Sequence, residues 1–207
     1  MVVEQTTEQR RQPQTVVLKI KGDKYRKDFP NGTSAIYDLS TGDTIRIDHA
    51  AKTFRKLSGK EVREALADNQ QKSGQPPPKP PKITDTGTSG KVDGHDAEIY
   101  TASAAGAIFT YWVAKDYPDM AAVSAEMKKF RDKSDAFSKA NNIPVDPSQI
   151  DGIILKSESL SAGGGATTIT LLSAKVQVVD DSEFVVPEGY KEVVPPPARP
   201  IPRAATQ

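Results

Sequence analysis

Cysteine is absent from this 207-residue chain. That excludes disulfides, thiolate metal sites and a cysteine nucleophile, and leaves the compartment open. Histidine is nearly absent, since only His49 and His95 occur. Excess charge of either sign is missing as well. Lys and Arg number 28 against 27 Asp and Glu, so no bulk field draws nucleic acid or an acidic membrane. No apolar run approaches the ~20 residues of a transmembrane helix. The longest, residues 107–114, is strand-sized and carries Thr, Tyr and Trp. Hydrophobic residues make up only 36% of the chain, a deficit explained in part by proline-rich segments. The length suits one domain with tails.

What the chain does have is a run of short strands. Residues 15–57 read TVVLKIKGDKYRKDFPNGTSAIYDLSTGDTIRIDHAAKTFRKL. Val16, Leu18 and Ile20 alternate with Val17, Lys19 and Lys21, the period of a strand with one buried face. Gly22-Asp23, Pro30-Asn31-Gly32, Ser40–Asp43 and Ala50–Lys52 are turn sequences. Connections this short favour antiparallel pairing. Residues 2–8 supply a strand directly after Met1, and the expectation is that a signal peptide upstream has been removed. Ser58-Gly59-Lys60-Glu61 fits a capping box for a short helix with Val62, Ala65 and Leu66 on its apolar stripe. Residues 73–81 (SGQPPPKPP) form a proline-rich loop insertion.

Strand patterns resume at 82–86, with a turn at 87–90 and a short strand at 91–92. They continue at 95–102 and 108–114, where Ile108, Thr110 and Trp112 share one face and Phe109, Tyr111 and Val113 the other. Residues 119–140 read as one long helix, with Pro118 and acidic residues at its start. Met120, Val123, Met127, Phe130 and Phe137 recur at helical steps, and burying each contributes roughly 1.5–3 kcal/mol. A final hairpin is expected over 153–160 and 167–179. Phe184 and Tyr190 then act as anchors, and a disordered proline-rich tail covers 195–207.

Candidate chemistry is sparse. Asp48 and His49 are adjacent in a strand and point to opposite faces, as do His95 and Asp96, so neither pair converges. Both histidines read as turn-flanking surface residues. Asp180-Asp181 reads as a solvated turn, because calcium ligands need wider spacing. Gly163–Gly165 lacks the lysine and the helix of a phosphate loop. Ser89 lacks the spacing of a nucleophile elbow. Lys19, Lys21, Lys24, Arg26 and Lys27 read as a solvated outer strand face. No nucleophile–base pair is visible.

The segments IKGDKYRKDFPNGTSAIYDLSTGDTIRIDH, GHDAEIYTA, YWVAKDYP, ILKSES and FVVPEGYKEV together resemble an uncharacterised family of exported bacterial domains, DUF4412-like. That family is related to the LolA and LppX lipoprotein carriers. The resemblance covers about residues 2–194, apart from the proline-rich insertion. It implies an α+β fold, a curved antiparallel sheet forming an incomplete β-barrel, with one long and one short helix on its concave face. It implies a single domain over 1–194 and a periplasmic or secreted location. The function it points to is non-enzymatic binding of a lipid or lipoprotein acyl chain between sheet and helix. Phe109, Tyr111, Trp112, Met120, Val123, Met127 and Phe130 are the candidate lining. The alternative is an envelope structural or interaction protein with a filled core, docking an envelope partner through its proline-rich segments. Neither reading involves a cofactor, a metal or nucleic acid.

Overall fold

The computed structural model describes residues 1–9, 12–61, 63–64, 83–104, 106–140, 150–161 and 163–194. Alternating apolar residues and short polar turns build twelve strands into one sheet. In chain order these are β1 (Val2–Gln9), β2 (Gln12–Lys21), β3 (Lys24–Phe29), β4 (Thr33–Asp38), β5 (Thr44–Asp48) and β6 (Thr53–Leu57). Next come β7 (Thr84–Val92), β8 (His95–Ala104), β9 (Ala107–Ala114), helix α1 (Met120–Ala140), β10 (Ile153–Leu160), β11 (Ala166–Lys175) and β12 (Lys191–Glu192). Residues 59–61 and 63–64 are also helical.

The sheet order is β12-β6-β5-β4-β3-β2-β1-β11-β10-β9-β8-β7. Every neighbouring pair is antiparallel except β12 with β6. From the central β1–β11 pair, β2 to β6 and the short β12 run outward on one side, and the four strands β10, β9, β8 and β7 on the other. The end strands β12 and β7 do not pair, so the curved sheet is an incomplete barrel of the α+β class. The meander over 15–57 follows the turns read from sequence. The β1–β11 junction joins residues distant in the chain, Val3 opposite Ala174 for example.

Three apolar clusters form on this frame. The main one lies on the face that α1 covers. It joins Val3, Val16, Leu18 and Ile20 to Ile153, Leu155, Leu171 and Ala174, with Val123 of α1 fully buried among them. The helix stripe docks here as expected, through Met120, Met127 and Phe130. A second cluster lies on the opposite face of the β2–β6 arm. There Ile36 and Ile47 meet Val179 and Phe184 of the segment after β11, with Tyr190 packed alongside. A third sits on the opposite face of the β8–β10 arm, around Tyr111, Val113 and Ile150.

Some boundaries differ from the sequence reading. Residues 84–92 are one strand rather than two pieces. The turn expected at 87–90 is absorbed as a register shift between Asp85 and Ser89, with Gly87 at φ +68° and the Thr86 hydroxyl donating to Ile99 O at 2.7 Å. The last strand stops at Lys175, not at 179, because its pairing with β1 ends at Val2 opposite Lys175. Helix α1 starts after Asp119, which holds φ +51° and offers its carbonyl to the Ala122 and Val123 amides. No acidic residue therefore lies in the first turn, contrary to expectation. At the short helix, Ser58 Oγ accepts from the Lys60 amide at 3.2 Å, and no Glu61–Ser58 bond occurs among the described residues. The stripe residues Val62, Ala65 and Leu66, the insertion at 73–81, the Ser134 and Phe137 side chains and the tail at 195–207 lie outside the described residues.

Candidate functional site

Helix α1 fills one half of its face of the sheet. Of the residues expected to line a ligand gap, Trp112, Met120, Val123, Met127 and Phe130 all belong to the main cluster. Trp112 is also covered by Lys156, whose Nζ lies 4.5 Å from the ring centroid. Phe109 and Tyr111 belong to the third cluster, on the other face of β9, as strand alternation requires. The two groups are therefore not brought together.

Open space lies beside α1, over the β3–β6 arm of the same face. A groove of about 530 Å³ is bordered there by Phe29, Ala35, Tyr37, Arg46, Arg55 and Val194, among others. None of the seven expected lining residues borders it. Strand register orders its floor in three rows, because directly paired residues of antiparallel strands share a face. One row is aromatic at its inner end, Tyr25 opposite Tyr37 and then Thr44 and Leu57. Tyr25 stacks on Tyr37 with centroids 4.4 Å apart and meets the Phe130 ring edge-on at 5.2 Å. That contact is the boundary between the half filled by α1 and the open half. The middle row is Lys27, Ala35, Arg46 and Arg55. The outer row is Phe29, Thr33, Asp48 and Thr53. Val193 donates its amide to Phe54 O at 2.8 Å, which holds the chain after β12 along the rim. Burial pushes the Lys27 ammonium below its ordinary pKa.

The signal for this groove appears only once strand register is known. Arg46 and Arg55 sit on strand positions whose phase matches Val16, Leu18 and Ile20. Charged residues at that phase mark a stretch of inner face that no helix covers.

The opposite face of the same arm carries a polar network that sequence reading missed. Ser34 is 2% exposed. Its Oγ donates to Asp28 Oδ1 at 2.6 Å, lies 2.7 Å from His49 Nε2 and accepts from Arg26 Nη2 at 3.1 Å. His49 Nδ1 lies 2.9 Å from the Tyr190 hydroxyl. The lone hydroxyl proton of Ser34 is committed to Asp28. His49 Nε2 then carries a proton toward Ser34, and its Nδ1 accepts from Tyr190. Every hydrogen-bonding position of the Ser34 hydroxyl is used in this arrangement. His49 is thus a half-buried cross-link to the C-terminal segment rather than a surface residue. Asp48 points the other way, into the groove.

The basic cluster is likewise not a free outer face. Lys19 pairs with Asp28 at 3.4 Å and Glu183 at 2.8 Å, and Arg26, mostly buried, pairs with Asp28 at 2.6 Å. Lys27 points inward instead. Burial works against ionisation of Asp28, but the Ser34 hydroxyl, Arg26 and Lys19 outweigh it and hold the carboxyl below its ordinary range. His95 is likewise half-buried, against Tyr117 with ring centroids 5.4 Å apart, rather than a surface residue. Asp180 caps the 3-10 turn Asp181–Phe184 through the Ser182 amide at 2.8 Å. Gly163–Gly165 lies in the turn between β10 and β11, with Gly164 at φ +78°. Ser89 is part of β7. No group of three or more metal-ligating side chains occurs among the described residues. Among the same residues, no helix is long and apolar enough to cross a membrane.

An open, curved antiparallel sheet with a helix over half of one face and an uncovered groove over the other half defines an α+β protein of the incomplete-barrel class. The chain belongs to the family described as "Domain of unknown function (DUF4412)", whose model matches residues 1–190. No curated protein matches the chain. Among solved structures it is similar to PNGF-II, in a C2 crystal form, at 11% identity and a TM-score of 0.40. That match covers 92% of this chain and 30% of the other. The P21 form of PNGF-II matches at 11% identity and a TM-score of 0.40, covering 89% of this chain and 30% of that one. The chain therefore spans under a third of the protein it is compared with, and a likeness at that level carries no argument about function.

Proposed function

We propose that this DUF4412 protein is a non-enzymatic, exported protein that holds an apolar chain, of a lipid or an acylated protein, against the inner face of its open sheet. The observation that supports it is the groove of about 530 Å³ over β3–β6. Its size falls within the roughly 300–1,000 Å³ of small-molecule sites. Phe29, Ala35, Tyr37, Val193 and Val194 give it apolar walls. Binding is then driven by removing apolar surface from water, with no covalent step. The lone buried serine beside a histidine has its proton directed to Asp28, which supports a reading without hydrolysis.

The test is to purify the protein from its export compartment, extract it with organic solvent and analyse the extract by mass spectrometry. A co-purifying lipid or fatty acid in near-stoichiometric amount is expected, and an environment-sensitive apolar dye should bind the delipidated protein. Absence of both ends this reading.

A second reading is that of an envelope interaction protein. It is favoured by the packing under α1, where Val123 and Ile153 are both at 0% exposure. Deleting residues 195–207 should then weaken capture of an envelope partner, and unchanged capture would dismiss it.

A further inference from the structure

The middle row of the groove is cationic where an inner sheet face is ordinarily apolar. Lys27 faces Ala35, Ala35 faces Arg46, and Arg46 faces Arg55. With neighbouring strands about 4.8 Å apart, Lys27 and Arg46 stand ~10 Å from each other across the small Ala35 side chain. Arg46 and Arg55 are direct cross-strand partners, an arrangement that is destabilising for like charges unless something neutralises it. Among the described residues no carboxylate pairs with Lys27, Arg46 or Arg55. This differs from the outer face of β2 and β3, where Lys19, Lys21 and Arg26 all have acidic partners. The acid on the groove floor is Asp48 in the adjacent row, and its Oδ1 accepts from the Ala51 amide at 2.9 Å. Arg46 and Arg55 against one carboxylate leave the floor positive, with Lys27 at the inner end of the same row.

Apolar walls flank this row on both sides. Tyr25 and Tyr37 lie on one side and Phe29 on the other, with Val193 and Val194 at the rim. A free inorganic anion would not need so large a groove or such walls. A molecule with one anionic end and one apolar chain uses both features.

We propose that Arg46 and Arg55, with Lys27 behind them, form the head-group site for an anionic single-chain amphiphile, its carboxylate or phosphate seated over Ala35 and its chain lying along Tyr37. This rests on the reading that the groove takes an apolar chain, and it adds the class of head group. The planar guanidinium forks suit an oxyanion, because each can donate two parallel hydrogen bonds. Burial that lowers the Lys27 pKa is the electrostatic cost an incoming anion would relieve.

Calorimetry on the delipidated full-length protein tests this with three probes: a sixteen-carbon fatty acid, the matching fatty alcohol, and inorganic phosphate. Arg46→Gln/Arg55→Gln and Arg46→Lys/Arg55→Lys are the variants, both at solvent-accessible positions, and neither should melt below the parent, the Gln pair melting at or above it because the like-charge contact is removed. The fatty acid should bind the parent at least tenfold more tightly than the alcohol. The Gln pair should lose that preference while binding the alcohol unchanged, and the Lys pair should recover part of it. Phosphate alone should bind weakly and compete poorly. If acid and alcohol bind equally to parent and Gln pair, the head-group site is wrong and the apolar groove stands. If neither amphiphile binds the parent, both readings fall. If phosphate binds as tightly as the fatty acid, the site serves a free anion and the proposal is overturned.

Discussion

The Phe130 ring of α1 meets Tyr25 of β3 edge-on, centroids 5.2 Å apart at an interplanar angle of 80°. This contact ends the packed half of the inner face, and the groove begins on its far side with Tyr37. Aromatic edge-to-face pairs contribute about 0.5–1.5 kcal/mol beyond their area burial. Phe130→Ala should therefore cost about 2–3 kcal/mol, read as a lower urea midpoint with an unchanged slope. Phe130→Asp should cost more, because it places a carboxylate without a partner at the helix–sheet contact. An unchanged midpoint for the Asp variant would mean that α1 does not dock on the sheet in solution.

Asp28 gives the fold a defined acid sensitivity. Its carboxyl is held below the ordinary value of 3.8. A depressed folded-state pKa contributes stability above the unfolded value and loses it as pH falls through the folded one. Stability should thus begin to drop near pH 3.8 and continue downward, as the carboxylate bonded to Arg26 and Ser34 becomes protonated. Asp28→Asn should be less stable than the parent at neutral pH, by about 1–3 kcal/mol, because Arg26 keeps its burial and loses the nearer of its two carboxylate partners, Glu183 at 3.5 Å being retained. Its stability should also fall less steeply below pH 4. Parallel melting curves for the two proteins across pH 2–6 would show that this carboxyl is not linked to folding.

Ser34 separates a structural network from a catalytic one. Ser34→Ala removes the hydroxyl that joins Asp28, Arg26 and His49 and should cost about 1–3 kcal/mol. It should abolish no esterase or amidase activity, because the parent is expected to have none. Hydrolysis of an activated ester by the parent that disappears in Ser34→Ala and in His49→Ala would reverse that assignment.

Two of these relationships show how far one sequence can be read. The meander over 15–57, the hairpin of β8 and β9 and the stripe of Met120, Val123, Met127 and Phe130 were legible, because each depends on a period of two or 3.6 residues and on local turn chemistry. The anchoring roles of Phe184 and Tyr190 were legible as large apolar residues amid polar ones. The site was less so. Listing Phe109 and Tyr111 with Trp112 joined two faces of one strand, which alternation separates. The phase of Arg46 and Arg55 could have been read, but only against a register that the sequence does not print.

The order of residues along the chain determined the strands, their turns and the helix, since those are fixed by neighbours a few positions away. Only the tertiary structure decided that β1 pairs with β11, that α1 covers half of one face and stops at Tyr25, and that Ser34, Asp28, His49 and Tyr190 meet. These depend on contacts between residues as much as 173 positions apart, Val2 opposite Lys175, and the residues making them carry no local signal of their partners. The cationic row belongs to the same class. Lys27, Arg46 and Arg55 are unremarkable one by one, and become a site when strand register places them side by side on the uncovered half of the sheet.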